Sequence, residues 1–301
     1  MHFRQAPTGR QVYSGFKIRA FDMLALKLTL VPSFLLIVSM SGKWWGPAVA
    51  GWLAGLPVVA GPILYLLVLQ HGSSFGAHAA TLSLAAILAS EAFNFGYAWT
   101  CGVAHWRVAL AAGLAAWFAC ANALALLPIS SGALAWSAST AWALGAAALG
   151  VGFGNAFLPR SRAIANGAPL TRIDLAGRML AGIALTLIVT ALSGRLGASW
   201  SGVLAVFPLM GVVLSVSSHR AHGPAFVIAL LRGMVAGRFS FGAFCLVLSF
   251  ALTREPALAA FAQAAALAIC VQALTKRLAQ SRASASPASN ATRRNGIRTD
   301  S

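Results

Sequence analysis

The sequence predicts an all-α, polytopic membrane protein of about nine to ten spans arranged as two homologous halves. Three observations predict it. Only 9% of the 301 residues are charged and 59% are hydrophobic, with mean hydropathy +0.79, whereas soluble domains carry about 25% charged residues. Apolar runs near 20 residues recur from Leu24 onward, each long enough to cross a hydrocarbon core of roughly 30 Å. A short pattern, SGKWWGPAVAGWLAGLP at 41–57, returns as SGRLGASWSGVLAVFP at 193–208.

The runs are continuous and Ala/Leu-rich, without the alternation of a β-barrel, so the spans are expected to be helices. They fall at 23–41, 46–69, 74–100, 106–127, 132–158, 178–196, 200–218, 224–253 and 256–277. The runs 74–100 and 224–253 exceed what a single crossing needs. Each is either one tilted helix or two short pieces with a break. The resulting organisation is a basic N-terminal segment 1–22, a first transmembrane repeat 23–127 and an additional span 128–158. A basic linker 159–177, a second repeat 178–278 and a basic tail 279–301 follow. The Ser/Ala/Arg-rich tail lacks apolar periodicity and is expected to be disordered. No cleavable signal peptide is expected. Met23 opens the first apolar run and competes with Met1 as the start.

Net charge is +17, from 22 basic and 5 acidic residues. The basic residues cluster beside and between spans, the pattern of loops held at anionic headgroups on the cytoplasmic face. Lipid, not nucleic acid, is therefore the expected partner, with a homo-oligomer or another membrane protein as a further possibility. The inner membrane of a bacterium is the expected location. Nine spans would invert the second repeat and place the N-terminus and the linker on opposite faces. Ten would put both basic segments inside, and the charge pattern leans slightly to ten. Cys101, Cys120, Cys245 and Cys270 lack CxxC spacing and read as small apolar packing residues.

The repeat holds at an offset of 151. Gly51 matches Gly202, Pro57 matches Pro208, His71 matches His222 and Gly72 matches Gly223. After a shift of five, FNFG (93–96) matches FSFG (239–242). Pro57 and Pro208 read as helix interruptions at equivalent places, the arrangement that in transporters points to a binding site. The GxxxG motifs GWLAG (51–55) and GMVAG (233–237) read as close helix contacts.

Glu91 is the one carboxylate well inside an apolar run, in ILASEAFNFG, where an ionisable group costs several kcal/mol. It reads either as an ion or proton site or as a polar turn between two short helices. Arg232 and Arg238, in LLRGMVAGRFSFG, occupy the matching run. A Glu91–Arg238 pair across the pseudo-axis, or an Arg fork for an anionic substrate, would give these three residues a place on a substrate or ion path. His71 and His222 sit at span edges, where they could titrate near neutral pH or simply cap a helix end. His219-x-x-His222 has no third ligand, so no metal and no cofactor is expected. No P-loop, HExxH or CxxC motif occurs, and five carboxylates offer little for paired acid–base chemistry. An enzyme is not expected.

The second unit's Ser193-Gly194-Arg195, Gly202, Phe207-Pro208, His222, Gly223 and Leu231-Arg232 resemble the GlpM-type bacterial membrane proteins, which carry about one such unit per chain. The first unit keeps Ser41-Gly42-Lys43, Gly51, Pro57, His71 and Gly72 but lacks the Arg. The resemblance implies a bacterial inner-membrane protein and a loose link with exopolysaccharide production, and it assigns no functional residue. Two functions are expected to compete: a transporter or permease of a small solute with its path between the repeats, and a non-transporting scaffold of an envelope or exopolysaccharide complex.

Overall fold

A computed structural model describes residues 20–126, 136–159, 171–195 and 207–284. The N-terminal segment before residue 20, most of the linker, Gly202 and the tail beyond 284 lie outside the described residues. Ten helices and no strand occur among the described residues. They are α1 (Ala20–Trp45), α2 (Pro47–Ala54), α3 (Ala60–His71), α4 (Ser73–Thr100), α5 (Trp106–Ala125), α6 (Trp136–Phe157), α7 (Arg172–Arg195), α8 (Leu209–His222), α9 (Pro224–Ala251) and α10 (Ala257–Ser284). Five apolar stretches, on α1, α4, α5, α9 and α10, are long and apolar enough to cross a membrane, so the chain is an all-α multi-pass membrane protein.

The two over-long runs are each one uninterrupted helix. α4 and α9 both contain 28 residues, about 42 Å at 1.5 Å per residue. Their hydroxyls do not break them, because Thr81, Ser83 and Ser249 turn back onto carbonyls of their own helix. The alternative of a polar turn at Glu91 is therefore excluded, and so is a tenth crossing gained by splitting 74–100. Both helices begin after a glycine with positive φ, Gly72 at 89° and Gly223 at 77°. A side chain at either joint would be strained. No bulge interrupts either helix. Phe93 on α4 and Phe244 on α9 are both buried.

The second expected span is broken. α2 ends at Ala54 and α3 starts at Ala60, with Pro57 in the turn between them. Pro208 stands at the N-cap of α8. A proline has no N–H to donate and cannot continue a helix from its own N-terminal side.

α4 and α9 form the centre: 61% and 50% of their most apolar 18-residue stretches are buried, against 22% for those of α5 and α10. They run antiparallel. Glu91 meets Arg238, a Cβ on Gly242 would lie 3.6 Å from Ile87 Cδ1, and one on Gly76 would lie 3.2 Å from Leu252 Cδ1. α1 and α7 are antiparallel too, since Ser39 bonds Arg178 while Gly182 packs on Leu35 and Val31. Their first residues, 20 and 172, thus lie at opposite ends of that pair.

α2 runs parallel to α9 at backbone contact. A Cβ on Gly51 would collide with the Leu230 carbonyl, one on Gly233 with the Ala48 carbonyl, and one on Gly237 with the Trp52 carbonyl. The two GxxxG motifs are thus each other's partners, and only glycine lets the backbones approach this closely.

Candidate functional site

Glu91 lies about two-thirds of the way along α4 and is 3% exposed. Its Oε1 accepts from Arg238 Nε at 3.0 Å, and its Oε2 accepts from Asn94 Nδ2 at 2.9 Å. Asn94, one turn along α4, is buried as well. α6 closes the third side, where a Cβ on Gly154 would sit 3.3 Å from Glu91 Oε2. Each carboxylate oxygen thus has a donor, and a glycine leaves room for the second. Arg238 is 17% exposed, and its guanidinium stands 6.0 Å from the Phe241 ring. Glu91–Arg238 is the one ion pair among the described residues.

The break in the second span sits against this pair. A Cβ on Gly55 would lie 2.5 Å from Gly237 Cα and 3.1 Å from Arg238 N. Ending α2 at Ala54 strands carbonyls that a continued helix would use. Trp52 C=O accepts from Gln272 Nε2 at 3.1 Å, and Trp52 Nε1 donates to Thr275 Oγ1 at 3.2 Å, so α10 stabilises the broken end. Pro208, at the N-cap of α8, leads to a different place: Phe207 packs edge-on to Trp117 at 5.1 Å between centroids, and a Cβ on Gly211 would lie 3.3 Å from Phe93.

Arg232 does not join Glu91. Its Nη1 donates to Leu158 C=O at 2.8 Å, just past the end of α6, a C-terminal capping interaction. His71 stacks on Phe75 at 4.6 Å and His222 stands edge-on to Phe226 at 4.3 Å, matching pairs across the two glycine joints. His71 is exposed, whereas the buried Nδ1 of His222 has no hydrogen-bond partner. No group of three or more potential metal ligands occurs among the described residues.

A second polar site was hidden in the basic linker pattern. Arg178, two turns into α7, is only 4% exposed. Its Nη1 donates to Ser39 Oγ at 3.1 Å and its Nη2 to Ser218 Oγ at 3.4 Å. It makes no ion pair among the described residues. Nearby, Thr171 and Asp174 form a reciprocal capping box that starts α7. The Thr171 hydroxyl and backbone N–H hold the exposed Asp174 carboxyl below its ordinary range.

Tyr97 OH and His219 Nδ1 are 3.2 Å apart, and Trp99 Nε1 donates to Phe157 C=O at 3.1 Å. These contacts gather the ends of α4, α6 and α8 at one face of the bundle, together with the start of α7. Comparison with family models, with curated proteins and with solved structures finds no match.

Proposed function

We propose that the chain is a bacterial inner-membrane transporter of a small solute, built from two repeats of inverted orientation. The observation that carries this reading is the Glu91–Arg238 pair, more than two turns from either end of two antiparallel apolar helices and beside a helix break at Gly55–Val59. A buried ion pair is a poor way to stabilise a core, because desolvation offsets most of its attraction. At membrane depth, charges that persist belong to substrate or proton paths.

The repeat supports the reading in a specific way. At the offset of 151, α4 corresponds to α9 and α1 to α7, and each helix packs antiparallel on its own counterpart. Contacts are also reciprocal: α3 touches α10 while α8 touches α5. Gly61 faces Phe244 and Gly211 faces Phe93, nearly equivalent pairs. A pseudo-two-fold axis in the membrane plane produces this pattern, and transporters of that kind place broken helices and the solute at the axis. The face with Arg107, Arg172, Arg220 and the Arg-rich linker is then cytoplasmic by the positive-inside rule. Protonation of Glu91 would free Arg238 to receive an anionic group, and release of both that group and the proton would restore the pair.

Reconstituted vesicles carrying a trapped pH-sensitive dye test this. Gradients of small carboxylates and of inorganic phosphate are imposed, and solute-driven pH change is read. Glu91→Gln and Arg238→Ala are each expected to lower the rate at least tenfold while the folded protein is retained. Unchanged rates in both would remove the pair from the path. The competing reading, a non-transporting scaffold of an envelope complex, draws support from span hydroxyls spent on their own helices, as at Thr186 and Ser217. It expects no flux of any solute and a stably co-purifying membrane partner.

A further inference from the structure

We propose that Arg178 is the centre of a second site, which binds a phosphate-type oxyanion at the membrane surface. The site does not depend on whether the chain transports a solute. A guanidinium removed from water without a counter-charge is costly. Here it is 4% exposed and makes no ion pair among the described residues. The two serine hydroxyls that accept from it are neutral, and the exposed Asp174 carboxylate, one turn earlier on α7, acts on it only through space and is itself held by Thr171.

Three buried polar atoms in this neighbourhood have no hydrogen-bond partner: Arg178 Nε, Ser215 Oγ and His222 Nδ1. Ser215, Ser218 and His222 recur at i, i+3 and i+7, so one face of α8 presents all three. Ser218 on that face is the residue that bonds Arg178. Ser215 is 0% exposed. Buried polar groups are nearly always satisfied, so three unpaired atoms around one cation that touches no counter-charge point to a missing partner that carries negative charge and several acceptors. An oxyanion meets both needs. It would take the Nε–Nη edge of the guanidinium as a fork and accept from the serine hydroxyls. A purely structural Arg178, tying α1 to α8 through Ser39 and Ser218, accounts for two donors and leaves these atoms unexplained.

Depth fits an ion that arrives from the surface. Ser39 is a turn and a half before Trp44 and Trp45, which are 63% and 64% exposed. Exposed tryptophans mark the headgroup level. The phosphate could therefore be free in solution or belong to a lipid headgroup.

The full-length protein in detergent is titrated with inorganic phosphate against chloride at matched ionic strength, and its unfolding midpoint is followed. In parallel, protein from nanodiscs of phosphatidylglycerol or of phosphatidylcholine is analysed by native mass spectrometry for retained lipid. A saturable rise of the midpoint with phosphate, with half-saturation about tenfold weaker in Ser215→Ala and absent in Arg178→Lys, supports the site with a free ion as ligand. No rise with phosphate, but phosphatidylglycerol retained by the wild type and lost by Ser215→Ala, supports it with a headgroup as ligand. Ser215→Ala keeps the arginine in place, so it remains informative if Arg178→Lys does not fold. Neither a rise nor retained lipid overturns the proposal, and so does either signal unchanged in Ser215→Ala.

Discussion

Ile87 meets Gly242 one helical turn from the point where Glu91 meets Arg238. One turn apart, α4 and α9 thus meet once through an ion pair and once through an apolar side chain over a glycine. Nothing in the packing of these helices demands charge, since the neighbouring contact manages without it.

That comparison sets the first expectation. Glu91→Gln leaves Arg238 buried beside a neutral amide and should cost about 3–5 kcal/mol. Adding Arg238→Met should recover most of it, because both halves of the crossing would then be uncharged. A double-mutant cycle on thermal unfolding in detergent measures the coupling. Equal loss in the single and the double variant would show that the pair itself holds α4 to α9.

The glycine contacts of α2 on α9 give a stability contrast. A Cβ on Gly237 would strike the Trp52 carbonyl, whereas one on Gly152 meets nothing within 4 Å. Gly237→Ala should lower stability by about 2 kcal/mol. Gly152→Ala should leave it unchanged or raise it by up to about 1 kcal/mol. Unfolding midpoints of the two variants decide the matter.

The capping box predicts a pH response. The Asp174 carboxyl is held below its ordinary value by Thr171, so folding favours its ionised form. Its contribution is present above the unfolded-state value, about 3.9, and is lost as pH falls through the lower folded value. Wild type and Asp174→Asn should therefore differ in midpoint at pH 7 and converge as the pH is lowered below 4. A difference that persists unchanged in acid would assign the effect to something other than ionisation.

Antiparallel packing fixes which ends share a face. In a background without its four cysteines, Val103→Cys and Arg172→Cys should react with an impermeant reagent from one side of sealed vesicles. Ser74→Cys and Thr253→Cys should react from the other side. Labelling of Val103→Cys and Ser74→Cys from the same side would contradict a single crossing by α4.

The membrane class was legible because composition alone rules out a water-facing surface. The Glu91–Arg238 pair was legible because charges within long apolar runs have few places to go. The GxxxG motifs announced close contact, although their being partners of one another was not visible in either alone. Arg178 was missed because its sequence context, PRSRAIANGAPLTRIDLAGR, is rich in Arg and Gly and reads as a hydrated loop. Burial there depends on α1 and α8, which are distant in sequence. The capping box TRID (171–174) could have signalled that a helix begins inside that stretch, since a Thr followed three residues later by an acid precedes an apolar run. Arg232 looked like a site residue for the same reason as Arg238, and only the end of α6 explains its placement.

α2 has eight residues, about 12 Å of helix, which is too short to cross a bilayer alone. α1 packs on one side of it, where a Cβ on Gly42 would lie 3.2 Å from Ala50 Cβ, but its other contacts come much later in the chain: Gly233 and Gly237 on its flank, then Gln272, 220 residues beyond the Trp52 carbonyl it satisfies. At ribosomal rates of 5–20 residues per second, that wait is roughly 10–45 s. During synthesis the N-terminal portion therefore enters the membrane with a half-made element and an unfilled groove. Something has to shelter it until the last two helices arrive, and a chain cut short before α10 would leave the quality-control machinery a ready mark.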